Sequence, residues 1–348
     1  MPLVLERGES LFSWSSDKHQ WTPCSFDSAD ERSDWLKLAL VNNMPDAAIE
    51  DTEEQFCKLL AAAADGISVY LKLCSLPNIP RGQRAQDHLA TFYKSTTELL
   101  NQRVDGVIVT GTEPRQKNLR DEPYWEVLVD LFVWAEQNTT SAVLSCLAAH
   151  AAVLHSHGIA RNPLKDKCFG VFEHRRVTDH PLTSGSDGAW HIPHSRWNEL
   201  RSGELTACGY RILSEATGAG VDLFVKQNKK SLFVHFQGHP EYLVDTLFKE
   251  YRRDVKRFLR GERDSYPLLP EGYFSDSSQA LFAAFREKAL LERRDDLMKM
   301  FPAPAVMDSL EKSWGASSVR IYRNWLEYLA CHSEIGTGLR PMTSASHG

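Results

Sequence analysis

The stretch SAVLSCLAAHAAVLHSHG, residues 141–158, changes character at Cys146. Before the cysteine lies a short apolar run that suits a buried strand. After it come leucines and alanines, good helix formers. A thiol at such a joint has two readings: a small buried hydrophobe, or a nucleophile whose thiolate is favoured by the helix N-terminus.

The flanking segments repeat the alternation. WLKLALVNN (35–43), GISVYLKLCS (66–75) and VDGVIVTGTEP (104–114) read as strands. DAAIEDTEEQFCKLLAAAA (46–64), a polar segment around DHLATFYKSTTELL (87–100) and YWEVLVDLFVWAEQN (124–138) read as helices. Strand–helix alternation predicts an α/β fold: a flavodoxin-like, open, mostly parallel sheet with helices on both faces. Ligands of such sheets sit beyond the carboxyl ends of the strands. The loops NNMP, TGTEP and the SC joint are therefore expected on one functional edge.

The second half has a different texture. KCFGVFEHRRV (167–177), AWHIPHSRWNEL (189–200), GYRILSEA (209–216), GVDLFVKQ (220–227) and SLFVHFQGHPEY (231–242) read as strands between turn residues. A helix follows over 244–259, then a Pro/Gly/Ser-rich connector over 261–278, and two further helices over 280–301 and 318–333. The run ERRDD at 292–296 is expected as a solvated helix face. The expected organisation is an N-terminal arm (1–35), the α/β domain (36–262), a C-terminal helical extension (263–335) and a disordered tail (336–348).

Composition excludes several classes. A formal charge of −6 provides no basic field for nucleic acid, and no apolar run reaches a membrane span. The N-terminus has early acidic residues and no sustained apolar core, unlike a secretory signal. Seven scattered cysteines without a CxxC pair argue against a disulfide framework or a zinc site and predict a reducing, cytoplasmic setting. No HExxH motif occurs, and no metal is expected.

A nucleophilic thiol needs a base. His239 follows an apolar strand, and Glu241 stands two residues on; in extended geometry the two side chains share a side, so Glu241 can orient the imidazole. The backbone N–H of Leu147, with one from the TGTEP loop around Gly111, is expected to form an oxyanion hole.

A cysteine elbow with a later GHPEY resembles the class I glutamine amidotransferase-like superfamily. The resemblance is closest to the homoserine O-succinyltransferase family of homoserine O-acyltransferases. It is carried by NNMPDAAIEDTEEQF, VDGVIVTGTEP, YWEVLVDLFVWA, SCLAAHAAVLHSHGI, KCFGVFEHRRV, HPL, PHSRWNEL and FQGHPEYLVDTLFKEYRRD, in family order across residues 35–260, with echoes in PEGYF and RNWLEYL. The resemblance implies a ping-pong reaction of methionine biosynthesis. A cysteine takes the acyl group from succinyl-CoA or acetyl-CoA as a thioester, and homoserine accepts it, without a cofactor.

In that family's terms Cys146 is the nucleophile, His239 the base and Glu241 its partner. Lys167, Ser195, Arg196 and Arg253 match substrate-binding positions, with Ser195 also at the acyl pocket. A homodimer is implied. Three departures stand out: Asp46 where the family has lysine, Leu147 and Ala148 where a Trp and a small residue usually follow the thiol, and His150 in place of Gln. In the acyl-selecting loop Arg115 stands where succinyl users carry Gly and acetyl users Glu; a cation there favours a succinyl carboxylate. An acetyl donor or a serine acceptor is the alternative. A glutamine amidotransferase is a further one, disfavoured because Leu144 and Ala148 replace the glycines of its elbow. A non-catalytic binding homologue is disfavoured by the complete triad.

Overall fold

A computed structural model describes residues 3–7, 10–15, 20–25, 35–307 and 310–333. The chain forms two compact units, Met1–Leu144 with Lys226–Val234 and Ile321–Gly348, and Ser145–Val225 with His235–Arg320. The expected boundaries at 35, 262 and 335 run along the chain, whereas these units interleave. The tail expected over 336–348 lies outside the described residues.

The first unit holds strands β1 (Leu3–Arg7), β2 (Ser10–Ser15), β3 (Gln20–Cys24), β4 (Leu36–Val41), β5 (Val69–Ser75), β6 (Lys94–Ser95), β7 (Gly106–Val109) and most of β8 (Ser141–Ser145). Its helices are α1 (Ile49–Ala63), α2 (Gln83–Phe92), α3 (Thr96–Leu100) and α4 (Trp125–Asn138). The sheet runs in the order β8-β7-β4-β5-β1-β2-β3, with β6 beside β5. The pairs β8–β7, β7–β4, β4–β5 and β5–β1 are parallel. The sequence explains why: all four residues of β7 and every β4 residue except Lys37 are buried, the apolar run of a strand covered on both faces. Parallel register sets Val41 beside Val109 and Val109 beside Leu144, so NNMP and TGTEP leave one edge of this sheet.

Two expectations are refined. The N-terminal arm joins the sheet, β1 parallel to β5 and β2 and β3 antiparallel beyond it. The polar helical segment breaks into α2 and α3, because Ser95 and Glu98 form a reciprocal capping box that starts a new helix. Trp325, the tryptophan of RNWLEYL, lies in the same unit, on the part of helix Trp314–His332 from Ile321 onward. A Cβ at Gly106 would lie 2.8 Å from both Trp325 and Leu329, so only glycine admits that helix to β7. The indole N–H of Trp325 donates to Ser141 Oγ at 2.9 Å.

The second unit starts at the end of β8 and continues into α5 (Leu147–His157). Strands β9 (Asn162–Arg176) and β10 (Ala189–Glu199) form a long antiparallel pair. After helix α6 (Ser202–Ala207) come the short strands β11 (Arg211–Ile212), β12 (Ser214–Ala216) and β13 (Gly220–Val221). The order of the smaller sheet is β10-β9-β12-β13. The unit boundary divides strands β14 (Leu223–Asn228) and β15 (Ser231–Phe236), and within the second unit β11 pairs with Phe224 and Val225 of β14. Helices α7 (Thr246–Leu259), α8 (Asp276–Leu291) and α9 (Ala303–Val306) follow, before the Trp314–His332 helix, α10.

Phe248, Tyr251 and Phe258 of α7 pack with Phe274, Phe282, Phe285 and Phe301 in an aromatic core. Burying a side chain of that size contributes about 2–3 kcal/mol. The helix expected over 280–301 stops at Leu291, and Asp295–Met300 is a 3₁₀ turn. The run 292–296 is exposed as expected but lies past the helix end, where the Arg293 guanidinium sits 4.4 Å over the Phe258 ring and its Nε donates to Phe258 O at 2.7 Å. Among the described residues no helix is long and apolar enough to cross a membrane.

Candidate active site

Cys146 occupies the N-cap of α5 with φ 51° and ψ −112°. Left-handed φ at a side-chain-bearing residue costs on the order of 1–3 kcal/mol and persists only where surroundings impose it. Here the Cys146 N–H donates to Phe236 O at 2.8 Å, pinning the chain beside β15. Immediately afterwards the chain turns into α5, so Leu147 N–H is one of the helix's first four donors, which have no partner within the helix. The thiol is partly exposed, and α5 aims the positive end of its dipole at it.

His239 is hydrogen-bonded to the Cys146 side chain, and its Nδ1 lies 2.8 Å from Glu241 Oε1. Ser145 Oγ donates to the same carboxylate oxygen at 3.4 Å. Burial opposes an imidazolium here, but the charges and hydrogen bonds of Glu241 and Cys146 outweigh it and raise the His239 pKa well above its ordinary value. The arrangement thus favours the protonated form of the His239 imidazole.

One detail corrects the sequence reading. β15 ends at Phe236, and His239 and Glu241 are not in extended geometry. Tyr242 N–H donates to His239 O at 3.1 Å, closing a turn with Pro240 second and Glu241 third. Proline presets the φ that this position of a turn requires. The carboxylate therefore reaches the ring across a turn.

The Tyr242 ring stacks on His239 with centroids 4.2 Å apart and planes 16° from parallel. Its hydroxyl donates to Glu250 Oε1 at 2.6 Å. The second Glu250 oxygen accepts from Ser195 Oγ at 2.5 Å and from Lys167 Nζ at 3.2 Å, and Arg253 Nη2 lies 3.8 Å from it. Burial pushes the Glu250 carboxyl up, but Lys167 and the bonds from Ser195 and Tyr242 prevail and hold it below the usual range. Lys167 also sits 3.8 Å over the Phe169 ring. Arg253, 45% exposed, is paired with Asp254 at 3.2 Å.

The structure therefore brings together Cys146, His239 and Glu241, gathers Lys167, Ser195 and Arg253 around Glu250, and joins the two groups through Tyr242. Sequence reasoning passed over Tyr242 and Glu250. Both lie inside the quoted motif FQGHPEYLVDTLFKEYRRD, and the Glu250–Arg253 spacing of one helical turn was the available signal.

Arg196 is placed elsewhere. Adjacent strand residues point to opposite faces, so with Ser195 facing Glu250 the arginine faces away. Its guanidinium, 4% exposed with the rest of the residue, donates to His194 Nδ1, Asn198 O and Ala219 O. That makes it a structural tie and leaves no fork for a substrate carboxylate.

Gly111 and Arg115 belong to the first unit, where Gly111 is buried and Arg115 is exposed with its backbone N–H on Glu122. Asp46, the departure from the family's lysine, accepts from Gly82 N–H at 2.7 Å and pairs with Arg81. His150 is buried, with Nε2 3.0 Å from Gln237 Oε1. Because that oxygen accepts, Nε2 carries the hydrogen. Burial, helped by the Arg196 charge, takes the His150 pKa down to about 3, so the ring is a neutral donor.

Comparison with known proteins gives a consistent answer. Residues 24–334 match the family model described as homoserine O-succinyltransferase. A homoserine O-succinyltransferase of Methylorubrum extorquens is 43% identical over 291 residues, covering 84% of this chain and 86% of that protein. One from Rhodopseudomonas palustris is 42% identical, covering 85% and 88%. A solved glutamine amidotransferase from Methylobacillus flagellatus covers 90% of this chain at 9% identity, with a TM-score of 0.45, too remote to carry any argument.

Proposed function

The chain belongs to the homoserine O-succinyltransferase family, and on that premise we propose that it transfers a succinyl group from succinyl-CoA to the hydroxyl of L-homoserine through a thioester on Cys146. The observation that carries this reading is His239 held between the Cys146 thiol and the Glu241 carboxylate. Two half-reactions follow from it.

In the first, the Cys146 thiolate attacks the thioester carbonyl of the donor, and Leu147 N–H meets the developing oxyanion. The carbon–sulfur bond to CoA breaks, and the leaving thiolate takes the proton from His239. In the second, neutral His239 accepts the hydroxyl proton of the acceptor as its oxygen attacks the acyl group. Cys146 leaves as thiolate, again paired with the imidazolium. Glu241 stabilises that cation in both halves. Arg253, half exposed and at the end of the Glu250 cluster, supplies the fork for the acceptor's carboxylate; Lys167 and Ser195 flank it.

Acyl-CoA enters as a substrate, so no resident cofactor is invoked. Seven cysteines without a disulfide support a reducing cytoplasm, and the family resemblance supports a homodimer.

The test is the intact mass of the protein after brief exposure to succinyl-CoA or acetyl-CoA, with Cys146→Ala as control. We expect a succinyl adduct that Cys146→Ala abolishes and homoserine discharges. An acetyl adduct alone would overturn the donor, discharge by serine alone would overturn the acceptor, and no adduct with either donor would sink acyl transfer.

A further inference from the structure

Behind His239 lies a buried polar group that the mechanism does not use. Asp222, fully buried, accepts from Gly238 N–H through Oδ1 at 2.7 Å, and its backbone carbonyl accepts from Gln237 N–H at 3.1 Å. Its Oδ2 has no partner, a costly arrangement for a buried oxygen. Gly238 is hemmed in: an added Cβ would lie 2.5 Å from Ile192, 2.9 Å from Asp222 Oδ1 and 2.9 Å from His194. The next residue, His239, donates its N–H to Pro193 O at 2.8 Å.

A chain of side chains flanks the aspartate. Arg196 Nε donates to His194 Nδ1 at 3.2 Å, which fixes the His194 hydrogen on Nε2. That nitrogen lies 2.9 Å from His174 Nε2 and 4.0 Å from Asp222 Oδ1. His174 must then carry its hydrogen on Nδ1, which has no partner. The two rings stack 4.9 Å apart. Every member from Arg196 to Asp222 is less than 5% exposed, so nothing here faces substrate.

We propose that Asp222 is a positioning residue for the general base: through Gly238 N–H it sets the main chain from which His239 reaches Cys146, and Arg196, His194 and His174 brace it. This deepens the acyl-transfer reading, and part of its test does not depend on that reading. Cys146 alkylation by iodoacetamide needs neither donor nor acceptor and reports only the thiol–imidazole pair. The groups facing His239 are Cys146, Glu241 and Tyr242, with Asp222 and His194 behind.

The variants are Asp222→Ala, which deletes the acceptor, and Asp222→Asn, whose side-chain oxygen still accepts from Gly238 N–H. Expected for Asp222→Ala are a kcat lower by about tenfold to a hundredfold, KM values for both substrates within about twofold, and an alkylation pH profile moved to higher pH. Asp222→Asn is expected to restore most of kcat and the profile. If Asp222→Ala does not accumulate folded, Asp222→Ser, too short to reach the amide, carries the same expectation. An unmoved alkylation profile in the Ala or Ser variant overturns the proposal, and so does an Asn variant as impaired as Ala.

Discussion

Strand β5 ends in LCS, and β8 ends in LS with a cysteine directly after it. In β5 the cysteine is still inside the ladder: Cys74 pairs with Val41 on one side and Lys94 on the other and is 1% exposed. Burial pushes its thiol up to about 12, so at neutral pH it is a small hydrophobe. In β8 the cysteine falls one residue past the strand, on a left-handed turn at a helix N-terminus and bonded to an imidazole. One residue of displacement separates a thiol sealed in the ladder from one that stands beside an imidazole. Residue type and apolar context are shared; only position relative to the strand end and the presence of a base differ.

The largest effects test that contrast. Cys146→Ser should lower kcat by about 10³-fold or more, since a catalytic group acting in a unit takes most of the rate with it. Cys74→Ala should leave kcat within about twofold and cost roughly 1–2 kcal/mol in urea unfolding. Equal alkylation rates for the two thiols would break the comparison.

The base comes next. His239→Asn is expected to reduce kcat by about 10²–10⁴-fold, and Glu241→Gln by about 10²-fold, with alkylation of Cys146 slowed in both.

Burial acts on imidazoles as it acts on Cys74, in the opposite direction. His150 and His174 are taken down to about 3 by burial, with Arg196 adding to it. The unfolded chain binds their protons below about 6.5, so their contribution to stability is present above that value and lost as pH falls towards 3. Each pH unit in that window costs about 1.4 kcal/mol per group. Urea midpoints measured from pH 7 to pH 5 should fall steeply, and His174→Asn should flatten the slope. His239 has the reverse sign: its raised pKa contributes stability below about 6.5 that is lost as pH rises through the folded value. The smallest effect belongs to Ser145→Ala, whose 3.4 Å bond to Glu241 predicts a twofold to fivefold loss of kcat.

Much of the site was legible in the sequence, for local reasons. The SC joint, the helix after it and GHPE are contiguous signals, and the strand–helix alternation settled the class of fold. What escaped depends on chain folding back. Glu250 matters because Lys167 and Ser195 arrive at it from distant segments, and Asp222 because Gly238 does. Arg196 was misplaced because motif adjacency to Ser195 outweighed the alternation of strand faces. The His239–Glu241 geometry was read as extended although Pro240 signalled a turn.

The glycine at 106 bears on the order in which the protein is made. Trp325 and Leu329 cover it, and Trp325 bonds Ser141 in the neighbouring strand, yet both arrive some two hundred residues later. A nascent chain emerging from the ribosome therefore presents this part of the sheet uncovered until residues 314–332 have been made. Helix α10 closes a strand translated long before it, and a message truncated ahead of residue 314 yields a sheet with an apolar face open to aggregation.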